Sequence, residues 1–219
     1  MIRTLVTGFE PFDGGDVNPS QLLVEALASA PPDGLALSTA VLPVAYTRAG
    51  DMLAAAVRAA EPDLVVCFGQ AGGRTAVSVE RFALNLDDAA SSDNEGASSS
   101  APIDPDGPVA YRSTLPVDEI VAALHAEGIP AAASRDAGGF LCNHVFYRLH
   151  ALLASERPAA RGGFVHVPLL PEQALAKAEP SMPLETLVRA ARIVLGVSAQ
   201  SAAQRARASS GVTSPASTS

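Results

Sequence analysis

Short apolar runs alternate along this chain with amphipathic stretches of helical period. Ile2 to Thr7 reads as a first strand, buried in a sheet. Asn18-Pro19-Ser20 then opens a helix to about Ser29, with Leu22, Leu23, Ala26 and Leu27 inward. Leu35 to Leu42 is a second strand, ended by Pro43. Tyr46 to Ala60 is a helix facing Met52, Leu53, Ala56 and Val57 to the core. Leu64 to Phe68 is a third, wholly apolar strand. Thr75 to Leu86 alternates like a β-ribbon. Further on come a helix over Val117–Ala126, a strand over Ile129–Ala133, and a helix whose stripe is Leu141, Val145, Leu149 and Leu152. A buried strand ending near His166 and a helix over Pro183–Val197 complete the series. Strand, loop and helix in succession are α/β units, whose ligands sit beyond the carboxyl ends of the strands.

Between these elements, Asp87 to Gly107 is polar and serine-rich and reads as a long surface loop. Its acids lack the spacing of a Ca²⁺-binding loop. From Ser198 the chain turns Ala/Ser/Arg-rich and then Ser/Thr-rich. Residues 1–197 are therefore expected to form one domain, and 198–219 a frayed tail.

Composition narrows the function classes. The chain has 219 residues, 48% of them hydrophobic, enough for one sizeable core. A net charge of −8 argues against nucleic acid or anionic membrane as partners. The two cysteines, Cys67 and Cys142, are too few for a disulfide framework. Neither a signal-peptide pattern nor a run of about 18 apolar residues occurs, so a reducing cytoplasm is the expected location.

Candidate chemistry gathers at the loop ends. Gly138-Gly139-Phe140-Leu141-Cys142-Asn143-His144 places Cys142 in the first turn of a helix. The helix dipole and free N–H groups there favour a thiolate and suit a developing oxyanion. The competing reading is a packed cysteine, as Cys67 is inside its strand. Phe9 and Phe12 sit in a Gly/Pro-rich loop after the first strand, where they either line an apolar pocket or pin the loop. Gly69-Gln70-Ala71-Gly72-Gly73-Arg74 matches no phosphate-binding spacing and precedes no helix. Close approach to a neutral ligand, with Gln70 offering an amide, suits it better. Alternation puts Glu80 on the face of Ser78, Phe82 and Leu84, where a carboxylate needs a partner; an edge-strand charge is the rival reading. Arg81 then points to the opposite face.

Four histidines compete as base to the thiol. His144 is two residues past Cys142 on one helix and does not face it. His150 lies two turns along, and His125 is at the polar end of a surface helix. His166 runs out to the loop edge of the sheet and is the best placed.

These blocks together resemble the pyroglutamyl peptidase type I family, also called pyrrolidone-carboxylate peptidase. Thr7-Gly8-Phe9-Glu10-Pro11-Phe12 with Asn18-Pro19-Ser20 is similar to its opening. Gly69 to Arg74 with Val79-Glu80-Arg81 resembles a second signature, Gly138 to His144 its cysteine signature, and Gly163 to Pro168 with Pro171-Glu172-Gln173 its histidine signature. They occur in the family's order over nearly the whole chain. The resemblance implies a single α/β domain, with a twisted, mostly parallel central sheet flanked by helices on both faces. It implies a cytoplasmic cysteine exopeptidase, commonly tetrameric, needing no metal or cofactor and acting on N-terminally pyroglutamylated peptides. By position Glu80, Cys142 and His166 match its triad. Phe9 and Phe12 match the residues that sandwich the pyroglutamyl ring, and Asn18 and Gln70 match positions at or near the ring site. One departure stands out: where the family usually carries an arginine after Asp87-Asp88-Ala89, this chain has Ala90. Arg74 and Arg81 are the nearby cations in sequence.

Two rivals follow from the same residues. One is a phosphorylase-like transferase holding phosphate at the glycine-rich loops. The other, motivated by Ala90, is a weak or inactive homologue that binds pyroglutamyl peptides without cleaving them.

Overall fold

The computed structural model describes residues 1–175 and 178–210, with side chains as far as Gln204. Eight strands and six helices follow in the order β1 Ile2–Phe9, α1 Pro19–Ser29, β2 Leu35–Leu42, α2 Tyr46–Ala60, β3 Leu64–Gln70, β4 Val77–Glu80, β5 Phe82–Leu84, β6 Ala110–Arg112, α3 Val117–Ala126, β7 Ala131–Ser134, α4 Leu141–Glu156, β8 Arg161–Val167, α5 Pro171–Ala174 and α6 Leu184–Ser210. A six-stranded sheet runs in the order β2-β1-β3-β8-β4-β7. All neighbours are parallel except β4 with β8. This is the mostly parallel α/β sheet expected from the sequence.

Side-chain alternation sorts the strands onto two faces. Leu64, Val66 and Phe68 of β3, Val165 and Val167 of β8, and Val77 and Val79 of β4 pack with α1, α3 and α6. Val65 and Cys67 of β3 and Phe164 of β8 pack on the other face with α2 and α4. Period two then assigns Gly69, His166, Ser78 and Glu80 to the α2/α4 face, near the edge where β3 and β8 end and the antiparallel β4 begins. Helix α4 delivers Cys142 to that same face.

Three expectations shift. The β-ribbon from Thr75 does not run through Glu80. Arg81 donates its N–H to Ser134 O and accepts at its own carbonyl from Ser113 N, and the chain leaves the main sheet. Phe82–Leu84 then pairs antiparallel with the short β6 in a separate ribbon, so Glu80 shares its face with Ser78 but not with Phe82 and Leu84. The strand expected over Ile129–Ala133 begins at Ala131, after Pro130, which has no N–H to give the ladder. The final helix continues past Val197 to Ser210, with Ser198 fully buried and Ala199 nearly so. A helix face that packs Val194 and Leu195 carries small residues inward for another turn, which composition alone does not reveal. Residues 211–219 of the expected tail lie outside the described residues.

The Asp87–Gly107 loop is anchored rather than loose. Helix α2 has no side-chain cap from Ala45. Instead Asp93 supplies one from the loop, accepting from Tyr46 N at 2.8 Å while its other oxygen accepts from Glu95 N at 2.9 Å and Ala97 N at 2.8 Å. Burial pushes the Asp93 carboxyl up, but these backbone donors outweigh it and hold it below the usual value. A folded-state pKa below the unfolded one gives stability that is complete above about pH 4 and lost as pH falls through the folded value. Asp93→Ala should therefore cost about 1–2 kcal/mol near neutral pH, because it removes the cap of α2 and leaves partly buried N–H groups without their acceptor. Urea unfolding should show the gap to wild type intact above about pH 4 and narrowing below it.

Candidate active site

A cavity of about 290 Å³ opens where β1, β3 and β8 end. Phe9, Phe12, Val44, Phe140 and Leu141 give it an apolar wall; Asn18, Gln70, Arg74, Cys142 and His166 supply its polar groups. It thus brings together six of the seven residues singled out from the sequence, and Glu80 stands directly behind His166.

Gly69 explains how the sulfur reaches this point. It pairs in register with His166 across β3 and β8. A Cβ on Gly69 would lie 2.7 Å from Cys142 Sγ and 2.8 Å from the Phe164 ring. The missing side chain is the space in which the sulfur sits, on the strand edge beside the histidine. No side chain caps α4 at Phe140, so first-turn N–H groups, that of Cys142 among them, remain for a ligand. The chain enters this turn through Gly138, whose φ of 79° favours glycine.

His166 Nδ1 lies 2.8 Å from Glu80 Oε1. A carboxylate oxygen only accepts, so Nδ1 carries the proton and Nε2 is left as the acceptor. Both residues are buried, at 3% and 0% exposure, and the edge-strand reading of Glu80 fails because β4 lies between β8 and β7. Burial pushes the His166 imidazole below its ordinary value, against the pull of Glu80. Burial also pushes the Cys142 thiol up to about 12, helped by the charge of Glu80 and opposed by Arg74. The thiolate expected from the helix start is thus outweighed: desolvation at the strand edge exceeds what the dipole returns.

The other histidines are engaged elsewhere. His144 Nδ1 pairs with buried Asp87 at 2.9 Å and meets the Tyr46 ring edge-on. His150 is buried between Tyr111 and Phe146, and burial pushes it down to about 4. His125 Nε2 reaches Ala131 O at 2.7 Å.

The wall residues differ in what they have left to offer. Asn18 is spent on the chain itself: its Oδ1 accepts from Ser20 N and Oγ, and its Nδ2 donates to Glu10 O. It fixes the Phe9–Phe12 loop onto α1. Gln70 Oε1 accepts from Gln173 Nε2 at 2.9 Å, and its own Nε2 has no acceptor among the described residues. Phe9 packs on Phe164, and Phe12 on Phe140. The Asp87–Asn94 loop lies against the approach to Cys142, with Asp88 N and Ala89 N both donating to Gly139 O. Ala90 is exposed and outside the cavity wall. Arg81 turns away to Asp118 at 2.5 Å. Among the described residues, no group of three or more His, Cys, Asp or Glu side chains is arranged to hold a metal, and no helix is long and apolar enough to cross a membrane.

Known proteins share this sequence pattern and fold. The pyroglutamyl peptidase family model matches residues 2–201. The chain belongs to the pyroglutamyl peptidase family. It is 48% identical to a pyrrolidone-carboxylate peptidase of Streptomyces coelicolor over 206 residues, 94% of this chain and 95% of that one. It is also 48% identical to one from Cupriavidus pinatubonensis, covering 88% and 90%. The crystal structure of pyroglutamyl peptidase I from Bacillus amyloliquefaciens superposes with a TM-score of 0.89 at 39% identity, covering 91% of this chain and 98% of that one.

Two residues that lie in the blocks resembling the family, but that have no part in the site by sequence alone, are engaged with its polar groups. Arg74 bonds Glu80 Oε1 at 2.7 Å and Asp136 O at 2.9 Å. Gln173, on the short α5, orients Gln70 across the cavity floor and also donates to Val17 O. The arginine was visible in sequence only as a cation near a glycine-rich loop, and α5 gave no periodic signal in its 4 residues.

The space at Gly69 supplies a direct test of the geometry. Gly69→Ala should displace Cys142 Sγ or the Phe164 ring and lower kcat by about a hundredfold, as misplacement by an ångström does. A crystal structure of the variant should show the moved sulfur; unchanged kinetics with an unmoved sulfur would contradict the packing described.

Proposed function

We propose that this protein is a cysteine exopeptidase that hydrolyses the bond after an N-terminal pyroglutamyl residue. One observation carries the reading: a buried Glu80–His166 pair and the Cys142 sulfur meet at the wall of a small apolar cavity that also holds Phe9 and Phe12. A pyroglutamyl ring is neutral and lacks a free amine, so aromatic faces with a few amide donors suit it. The ring lies between Phe9 and Phe12, and Gln70 Nε2 donates to it. Asn18 acts indirectly, by holding the loop that carries both rings.

The reaction begins from a neutral thiol and a neutral imidazole, since burial disfavours both charged forms. As the sulfur attacks the carbonyl, His166 Nε2 takes the thiol proton. Glu80 steadies the imidazolium that forms and keeps the ring in its useful tautomer. First-turn N–H groups of α4 meet the developing oxyanion. His166 then protonates the leaving amine, and water, activated by the same imidazole, hydrolyses the thioester.

The transferase rival is disfavoured by the state of Arg74. Its guanidinium is taken up by Glu80 and Asp136 O, and a strand rather than a helix follows the loop it ends. N-terminally pyroglutamylated peptides are thus the proposed partners, in the cytoplasm, with self-association as a tetramer carried over from the family resemblance.

Release of a fluorogenic amine from a pyroglutamyl amide, with and without a thiol alkylating agent, tests this reading. Binding without product would favour the inactive homologue instead. Cys142→Ser should abolish turnover and keep the fold, while Cys67→Ser, in a buried strand position, should leave kcat largely intact. His166→Ala should cost several orders of magnitude in kcat, far more than any change at His144, His125 or His150. The acid limb of kcat/KM should fall below the ordinary histidine value, because protonated His166 cannot accept the thiol proton and burial lowers its pKa.

A further inference from the structure

We propose that Arg74 is a positioning residue of this site, holding Glu80 against His166 and tying both to the loop that delivers Cys142. The inference rests on the peptidase reading above and adds a member to its machinery.

The bonding of Glu80 is lopsided. Oε1 accepts from both His166 Nδ1, at 2.8 Å, and Arg74 Nη1, at 2.7 Å. Oε2 is buried and has no partner among the described residues. A carboxylate removed from water needs a countercharge, and a neutral imidazole supplies only a dipole. Arg74 is the cation in contact with it, and it shares the oxygen that orients the histidine. Without Arg74 the carboxylate is free to rotate, exchange oxygens or take up a proton, and each of these releases the ring.

The second arm of the guanidinium goes elsewhere. Nη2 donates to Asp136 O at 2.9 Å. Asp136 Oδ1 in turn accepts from Gly138 N at 2.8 Å, shaping the left-handed turn that leads into α4. A planar fork with fixed angles therefore spans the end of β4 and the entrance to the cysteine helix. A lysine would supply the charge and not the span. Arg74 is about a quarter exposed and lines the cavity, so its charge also acts on the reacting pair.

That charge gives a readout that simple structural support would not move. Facing His166 are Glu80 and Asp136, which favour the imidazolium, and Arg74, which disfavours it. Facing Cys142 are Glu80 and Cys67, which disfavour the thiolate, and Arg74, which favours it. Removing the cation raises both pKa values, so the acid limb of the profile moves to higher pH and less thiolate is present at any given pH.

The test compares wild type, Arg74→Gln, Arg74→Lys and, as a control, Arg81→Gln, whose arginine pairs with Asp118 away from the cavity. Two measurements are made: the acid-limb midpoint of kcat/KM on a pyroglutamyl amide, and the rate of Cys142 alkylation by iodoacetamide at a fixed, mildly alkaline pH, followed by peptide mass. Arg74→Gln should lower kcat/KM by about ten- to a hundredfold, the loss expected for a hydrogen bond to a charged group. It should move the acid-limb midpoint upward by roughly half a unit to one unit and slow the alkylation about three- to tenfold. Arg74→Lys should keep the midpoint and the alkylation rate near wild type while losing part of kcat/KM, and Arg81→Gln should change neither measurement. A folded Arg74→Gln protein with an unmoved midpoint and alkylation rate overturns the proposal, whether or not its kcat/KM falls. If Arg74→Gln does not fold, Arg74→Lys decides: a wild-type kcat/KM overturns the proposal, and a reduced kcat/KM with an unmoved midpoint and alkylation rate upholds it. Wild type that fails to cleave the amide removes the peptidase reading, and the change in alkylation rate still judges Arg74 on its own.

Discussion

The site depends on one steric fact: Cys142 Sγ occupies the volume that any side chain on Gly69 would fill. Strand alternation creates this opportunity. Residues 67 and 69 of β3, 164 and 166 of β8, and 78 and 80 of β4 all face α4, and the parallel register sets Gly69 beside His166. A sulfur laid into the gap at Gly69 is automatically on the histidine's face of the sheet. Glu80 comes to the same face from β4, the one central strand that runs antiparallel to its neighbour β8. The reversal makes β4 begin at that edge, so with Ser78 opposite His166 its last residue, Glu80, lies deeper in the sheet, behind the imidazole.

Packing that tight removes water, and the electrostatics follow. Desolvation dominates the shifts of both Cys142 and His166 and drives each toward its neutral form. In the proposed reaction charge appears only in the transition state, where Glu80 and the α4 N–H groups are already in place to meet it. That is the differential stabilisation a catalyst requires. The same dryness makes the countercharge on Glu80 a structural necessity as well as a catalytic one.

Much of this was legible in the sequence because it is local. Cys142 at a helix start, His166 near a strand's end and Phe9 and Phe12 after β1 are all set by period and by glycine punctuation, and the structure brings them to one cavity. What was not legible is pairwise and distant. The ribbon through Glu80 looks continuous by alternation, yet Arg81 switches partners from Ser134 to Ser113 and breaks it. The protonation of Cys142 followed the dipole in sequence reasoning; burial, which depends on Gly69 and Phe164 arriving from other strands, reverses it. Asn18, expected at or near the ring site, does line the cavity, and its role as the N-cap of α1 and brace of the Phe9–Phe12 loop emerges only from the structure. The tail looked too poor in apolar groups to fold, but alanine and serine suffice where a helix face has only to continue against an existing core.

The departure at Ala90 takes on a different meaning in this setting. Its loop is pinned at three places: Asp87 to His144, Asp93 to the start of α2, and two N–H groups to Gly139. A loop held so firmly keeps its course whatever residue stands at an exposed position within it. Replacing a cation there with alanine therefore alters the charge around the cavity mouth and leaves its shape alone. The guanidinium that does line the cavity arrives from the opposite side, after β3, and is fixed by Glu80 and Asp136 rather than by the mobile end of a surface side chain. A cation held by two protein partners acts on the reacting pair at constant distance, whereas one on an exposed loop is screened by water and salt. On this reasoning the charge balance of the site rests on Arg74, and the loop carrying Ala90 contributes walls and hydrogen bonds.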